Sequence, residues 1–74
     1  MKLTDLSLGN TGRITQVIGG RGFQQKLAMM GIREGSTITV KKSAFSGGPI
    51  VIEVDRNSVA IGRGMAQKIY VESS

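Results

Sequence analysis

The side chains that most often perform catalysis are missing from this sequence or stand without suitable partners. It contains no cysteine and no histidine, which excludes thiol nucleophiles and Ser-His systems. Glu53 and Asp55 share one face at the end of a predicted strand. Arg56 lies directly beside them, so we interpret the pair as a solvated strand face. The sequence therefore predicts no catalytic residue, no metal ligand and no cofactor, and an independent enzyme is the least favoured class of function.

Two arginines lie between glycines, in residues 19–22 (GGRG) and 62–64 (GRG). The first segment follows a predicted strand and precedes a predicted helix, where backbone N–H groups can bind a phosphate. No complete phosphate-binding motif is present, however. We interpret both sets of glycines as chain reversals that need a positive φ.

The charge balance favours anionic partners. Ten lysines and arginines face five acidic residues, which gives a net charge of +5. This charge serves solubility equally well. Nucleic-acid binding would also need aromatic stacking platforms, and only Phe45, on a predicted loop, and Tyr70, on an outward strand position, are available. A small basic nucleic-acid-binding β-barrel therefore stays the alternative function.

The chain length and composition predict one small β domain over residues 1–74. Isoleucine and valine together number 14 against four leucines, and 11 glycines provide for many turns. No apolar stretch approaches the roughly 20 residues of a membrane span, and the N-terminus lacks a signal-peptide core. We therefore expect a cytoplasmic protein that does not insert into the membrane.

The hydrophobic pattern indicates five strands and one short helix. The strands are expected at residues 13–18, 36–42, 50–54, 59–61 and 68–72. Phe23, Leu27 and Met30 repeat with helical spacing, Gly31 ends that helix, and Met29 lies off its apolar face. Residues 62–67 are expected to form a single turn. Leu3, Leu6 and Leu8 are expected to lie over the core. These elements predict an SH3-like, partly open barrel with the helix inserted after the first strand.

Four segments together resemble the FeoA family, the small cytosolic component of bacterial ferrous-iron uptake. They are residues 8–14 (LGNTGRI), 26–35 (KLAMMGIREG), 48–50 (GPI) and 59–71 (VAIGRGMAQKIYV). The resemblance runs from about Leu3 to Val71. It implies an SH3-like barrel with an inserted helix and association with a FeoB-type membrane protein, whose GTP-binding domain faces the cytosol. It also implies an accessory or regulatory role without catalysis of its own.

Under this resemblance, the helix and its exit are the expected contact surface for the partner. We predict that Lys26, Met29, Arg33 and Phe45 form it, as apolar anchors surrounded by basic residues. Arg21 and Arg63 are candidates for supplying positive charge to the partner's nucleotide phosphates, as arginine fingers do. The open edge of such a barrel also leaves self-association by strand pairing open.

Overall fold

Five strands and two short helices make up the fold, preceded by one turn of 3₁₀ helix at Leu3–Asp5. The computed structural model describes residues 1–43 and 47–73. The elements are β1 (Thr11–Val17), α1 (Arg21–Met29), β2 (Thr37–Ser43), β3 (Ile50–Val54), β4 (Asn57–Ile61), α2 (Arg63–Ala66) and β5 (Ile69–Ser73). The predicted mainly β fold, with a helix inserted after the first strand, is confirmed.

The strands form one antiparallel sheet in the order β4-β3-β2-β1-β5. Its register shifts between Ile14 and Gln16 in β1 and between Val40 and Lys42 in β2. Such irregularities bend a strand and increase its twist, so the sheet curls. Among the described residues β4 does not pair with β5, and the SH3-like sheet is not closed.

The core lies inside this curl and is built by alternation along the strands. Ile50, Ile52 and Val54 of β3 are buried, while Val51 and Glu53 between them are partly exposed. The same alternation places Ile38 and Val40 of β2 inside, as predicted. The other buried apolar residues are Leu3, Leu6, Ile14, Leu27, Ile32, Ile61, Ala66, Ile69 and Val71.

The N-terminal segment covers the β5 edge of the sheet. The Met1 ammonium donates to the Val71 carbonyl oxygen at 3.1 Å, and the Val71 N–H donates to the Met1 carbonyl oxygen at 2.7 Å. A bridge between Lys2 and Tyr70 continues this pairing. Gly12 permits the close approach, because a Cβ there would lie 3.0 Å from Leu6 Cδ1.

Two expectations about this part of the chain and its glycines were wrong. Leu8 is 64% exposed, because the chain turns away at Gly9 (φ +86°), whose N–H donates to the Val40 carbonyl oxygen of β2. Of the glycines in residues 19–22 and 62–64, only Gly19 has the expected positive φ, whereas Gly20 (φ −72°) and Gly62 (φ −66°) begin α1 and α2 as their N-caps. The glycine at position 62 therefore serves a helix start rather than a left-handed turn.

Candidate docking surface

The C-terminal end of α1 is fixed by a Schellman-type stop. Gly31 adopts φ +86°, and the Ile32 N–H donates to the Leu27 carbonyl oxygen at 2.9 Å. Leu27 and Ile32 are both buried, which supplies the apolar contact that usually accompanies this motif. The Ser36 hydroxyl donates to the Gly31 carbonyl oxygen at 2.8 Å. The buried pair therefore holds the helix end in place while Met29, on the opposite side, is 89% exposed.

The β3–β4 hairpin lies against this helix end. A groove of about 320 Å³ is lined by Met29, Met30, Asp55, Asn57 and Val59, among others. A Cβ added to Gly31 would lie 3.0 Å from the Asp55 carboxylate, so the absence of a side chain there permits the contact. Met30 and Val59 pack against the core, while Met29 extends into solvent. The groove therefore has an apolar floor and an adaptable methionine on its rim.

A second groove, of about 450 Å³, runs between α1 and the end of β1. Arg21, Gln24 and Arg33 contribute to its walls, with Val17 and Ile32 also lining it. The Gln24 amide donates to the Gly19 carbonyl oxygen at 2.9 Å and more weakly to Val17 at 3.2 Å, which ties the helix to the loop before it. Arg33 lines both grooves and is the side chain that joins them.

The cations of this surface are not neutralised. Arg21, Lys26 and Arg33 are exposed and make no ion pair or side-chain hydrogen bond with the residues that the structure describes. By contrast, Arg13 of β1 pairs with Glu72 of the neighbouring strand β5 at 2.6 Å. Glu34 and Asp55 line the same grooves but form no ion pair with these cations, so the cations can meet a partner's acidic groups.

The structure brings together some of the predicted site residues and separates others. Met29 and Arg33 share the smaller groove, Arg21 and Arg33 share the larger one, and Lys26 is exposed on α1. Arg63 lies in α2, partly buried, and its Nη2 donates to the Ser43 hydroxyl at 3.3 Å. Phe45 lies outside the described residues. The assignment of these six residues to a partner stays a proposal.

Sequence reasoning missed the hairpin side of the groove, namely Asp55, Asn57 and Val59. The predicted strands at residues 50–54 and 59–61 left a four-residue turn at 55–58, whereas in the structure only Asp55 and Arg56 separate β3 from β4 in a tight hairpin. Both residues have positive φ, 51° and 68°, as the twist of such a hairpin requires. What the pattern could not show was that this hairpin meets the end of α1.

Two properties of the described residues bear on metal binding and on membrane spanning. Within residues 1–43 and 47–73, no three histidine, cysteine, aspartate or glutamate side chains come together as a metal site. In the same part of the chain, every helix is too short or too polar to cross a bilayer.

Comparison with known proteins gives consistent matches over most or all of the chain. The family model described as "FeoA domain" matches residues 1–73. A Methanocaldococcus jannaschii protein named "Putative Fe(2+) transport protein A" is 38% identical over 61 residues, which cover 82% of this chain and 72% of that protein.

Solved structures show the same fold. A crystal structure of an iron uptake regulatory protein (FeoA) superposes with a TM-score of 0.88 at 35% identity, over 100% of this chain and 96% of that one. The solution structure of a FeoA protein from Chlorobium tepidum gives 0.90 at 26% identity, over 99% of this chain and 70% of that one. A manganese-dependent transcriptional repressor gives 0.89 at 25% identity, and the match covers only 41% of that chain.

Proposed function

The chain belongs to the FeoA domain family, which is associated with Fe(2+) transport, and we propose that it docks on the cytosolic GTP-binding part of a FeoB-type membrane transporter. In this role it is an accessory protein at the cytoplasmic side of the membrane, without catalysis of its own. The observation that carries the proposal is the exposed, uncompensated surface at the end of α1. There a nearly fully exposed methionine stands beside free cations.

Several properties of this surface suit docking. Exposed Met29 offers a flexible apolar side chain that adapts to a partner and buries area when covered. Lys26 and Arg33 lie near it in sequence on the same helix and its exit, and neither is engaged by a described acidic residue. Basic residues around an apolar anchor attract an acidic partner surface and orient it during encounter. Within α1 only Leu27 is buried and Phe23 packs against the core, so the side of the helix away from the core is open to that partner.

The docking is tested by affinity capture of the tagged chain from detergent-solubilised native cells, with and without nuclease. We expect a FeoB-type transporter in both samples. A matched pair of variants then locates the surface: Met29→Asp should weaken binding about tenfold or more, and Leu8→Asp should leave it within about twofold. Leu8 is a suitable control because it is also an exposed apolar residue but lies away from α1, against Lys41 and Pro49.

The outcomes separate the alternatives. Recovery of nuclease-sensitive partners alone would contradict the proposal and favour the basic nucleic-acid-binding barrel, whose affinity would fall steeply with salt. Equal binding by the two aspartate variants would move the docking surface away from Met29. Both variants must keep the unfolding midpoint of the parent chain, which is expected because both side chains are exposed.

A stronger form of the proposal is that the chain stimulates GTP hydrolysis by the partner. Arg21 is the better placed of the two candidate arginines, because it is exposed and unengaged at the first residue of α1. Arg63 is held against Ser43. If Arg21 supplies charge to the phosphates, Arg21→Ala should reduce stimulated turnover far more than it reduces binding. Unchanged turnover with Arg21→Ala and Arg63→Ala combined would refute this form.

A further inference from the structure

The outer edge of β4 is an unpaired strand edge with none of the usual protection. Edge strands are normally shielded by charged residues, proline or a bulge. β4 contains only Asn57, Ser58, Val59, Ala60 and Ile61, and its five pairings with β3 run without a register shift. No backbone partner for its outer side occurs among the residues that the structure describes.

The hairpin geometry identifies which backbone groups face outward. A two-residue turn makes its closing pair, Val54 and Asn57, a hydrogen-bonded pair, and such pairs alternate along an antiparallel ladder. The pairs of Val59 and Ile61 with β3 are therefore hydrogen-bonded as well. The N–H and C=O groups of Ser58 and Ala60 point away from β3. Their side chains are small and exposed, so they do not obstruct an approaching strand.

The groove at the end of α1 continues this edge on the inner side. Val59 is partly buried and lines the groove together with Met29 and Met30. Residues directly opposite each other in an antiparallel pair place their side chains on the same face of the sheet. A residue that an incoming strand sets opposite Val59 would therefore direct its side chain toward the two methionines.

We propose that β4 accepts an extended segment of the partner protein as a sixth strand, with an apolar residue opposite Val59 and an acidic residue near Arg33. This inference rests on the proposed docking function and names its mode. The backbone of Ser58 and Ala60 supplies the hydrogen bonds, and the groove at the end of α1 selects the incoming side chain. Recognition by strand addition combines these two parts. Arg33, which lines the same groove without a described ion partner, selects the acidic residue.

Charge favours a foreign strand over a second copy of this chain. Two copies would each carry a net charge of +5, and Arg56, in the turn directly before β4, would lie near the junction. An acidic segment removes that repulsion and uses the free cations beside α1. The strand that joins β4 therefore belongs to another protein.

Amide exchange in the complex provides the first test. The unaltered chain, ¹⁵N-labelled, is exchanged in D₂O while bound to the full-length detergent-solubilised transporter, then released and read by NMR. In the free chain the Ser58 and Ala60 amides should exchange fast, while those of Val59 and Ile61 are protected by β3. In the complex we expect Ser58 and Ala60 to become protected at least about tenfold.

A matched pair of substitutions provides the second test. Ala60→Pro removes the outward N–H, and proline is tolerated at an edge position whose N–H faces solvent. Ala60→Val keeps that N–H and favours the strand. We expect transporter affinity to fall about tenfold or more with Ala60→Pro and to stay within about threefold with Ala60→Val.

The results distinguish failure of this inference from failure of the proposed function. A complex in which Ser58 and Ala60 still exchange fast overturns strand addition but leaves docking intact. The exchange result decides this even if Ala60→Pro does not fold. No complex with the unaltered chain overturns both. Protection of Ser58 and Ala60 in the concentrated free chain, with a dimer in sedimentation, assigns the edge to a second copy and overturns the partner strand.

Discussion

The outer edges of the two outer strands, β5 and β4, differ: the chain itself pairs with the edge of β5, but no described residue pairs with the edge of β4. Beside β5, the chain's own N-terminus bonds to Val71 in both directions, and Leu3 and Leu6 cover the adjacent core. Beside β4, the outward groups of Ser58 and Ala60 have no described partner, and a groove with an exposed methionine adjoins them. One edge is completed within the chain. The edge of β4 lacks the charged residues, proline and bulge that normally keep another strand from pairing with it.

Truncating a buried side chain in the segment that covers the β5 edge should have the largest effect on stability. Leu3→Ala removes a side chain that is 1% exposed and leaves a cavity under the N-terminal segment, so the free energy of unfolding should fall by about 2–5 kcal/mol. Urea unfolding followed by circular dichroism measures this loss. Leu8→Ala, in the same segment but exposed, is the control and should change stability by less than about 0.5 kcal/mol. Equal losses would show that the segment does not anchor through Leu3.

Deleting Met1 and Lys2, the residues that pair with β5, should have the next largest effect on stability. A chain that begins at Leu3 loses both hydrogen bonds between Met1 and Val71, which should cost about 1–3 kcal/mol of unfolding free energy. The Val71 amide should then exchange faster in hydrogen-exchange NMR, while the amides of β3 keep their order of protection. An unchanged Val71 exchange rate would mean that another segment covers β5.

The hairpin that presents β4 can be stabilised. Arg56 has φ 68°, a left-handed conformation that costs a residue with a Cβ about 1–2 kcal/mol. Arg56→Gly relieves that cost and offsets about half of it by greater freedom in the unfolded chain, so thermal unfolding should show a gain of up to about 1 kcal/mol. Arg56→Lys, which keeps the Cβ, should show no gain. A loss with glycine would indicate that the Arg56 side chain itself stabilises the fold.

Placing a charge on the bare edge should have the smallest effect on the free chain. Ala60→Lys adds an exposed side chain to a strand whose outer side has no described neighbour, so stability should change by less than about 0.5 kcal/mol in urea unfolding. The matching change on β5, Tyr70→Lys, replaces a partly buried side chain on a residue whose backbone pairs with Lys2, and it should cost more. A large loss with Ala60→Lys would show that the edge is covered after all.

Much of the fold followed from local patterns in the sequence. The alternation in β2 and β3 predicted their buried faces, and the spacing of Phe23, Leu27 and Met30 predicted the helix that Gly31 ends. These features depend on neighbours within one turn or two strand residues, which is the range that a pattern reports. The exposure of Met29 followed from the same helical period.

Features that depend on distant contacts could not be predicted in this way. The sequence pattern does not distinguish Leu8 from Leu3 and Leu6, but Leu8 is exposed because the chain turns at Gly9, whose N–H donates to the carbonyl oxygen of Val40 in β2. Arg63 looks as free as Arg21, yet Ser43 accepts a hydrogen bond from it. The close approach of the Asp55 carboxylate to Gly31 joins residues 24 positions apart, and no local sequence pattern predicts it.

The bonds between Met1 and Val71 also bring residue 1 close to the end of β5. The N-terminal nitrogen lies 3.1 Å from a carbonyl oxygen only two residues before Ser73, the last residue described. A short linker should therefore join residue 1 to the end of β5 without strain, which makes the fold a good subject for circular permutation. For the same reason, a larger protein can accept it as an insert through two adjacent attachment points. Both attachment points would then lie at the β5 end of the strand order, with β4 at the other end.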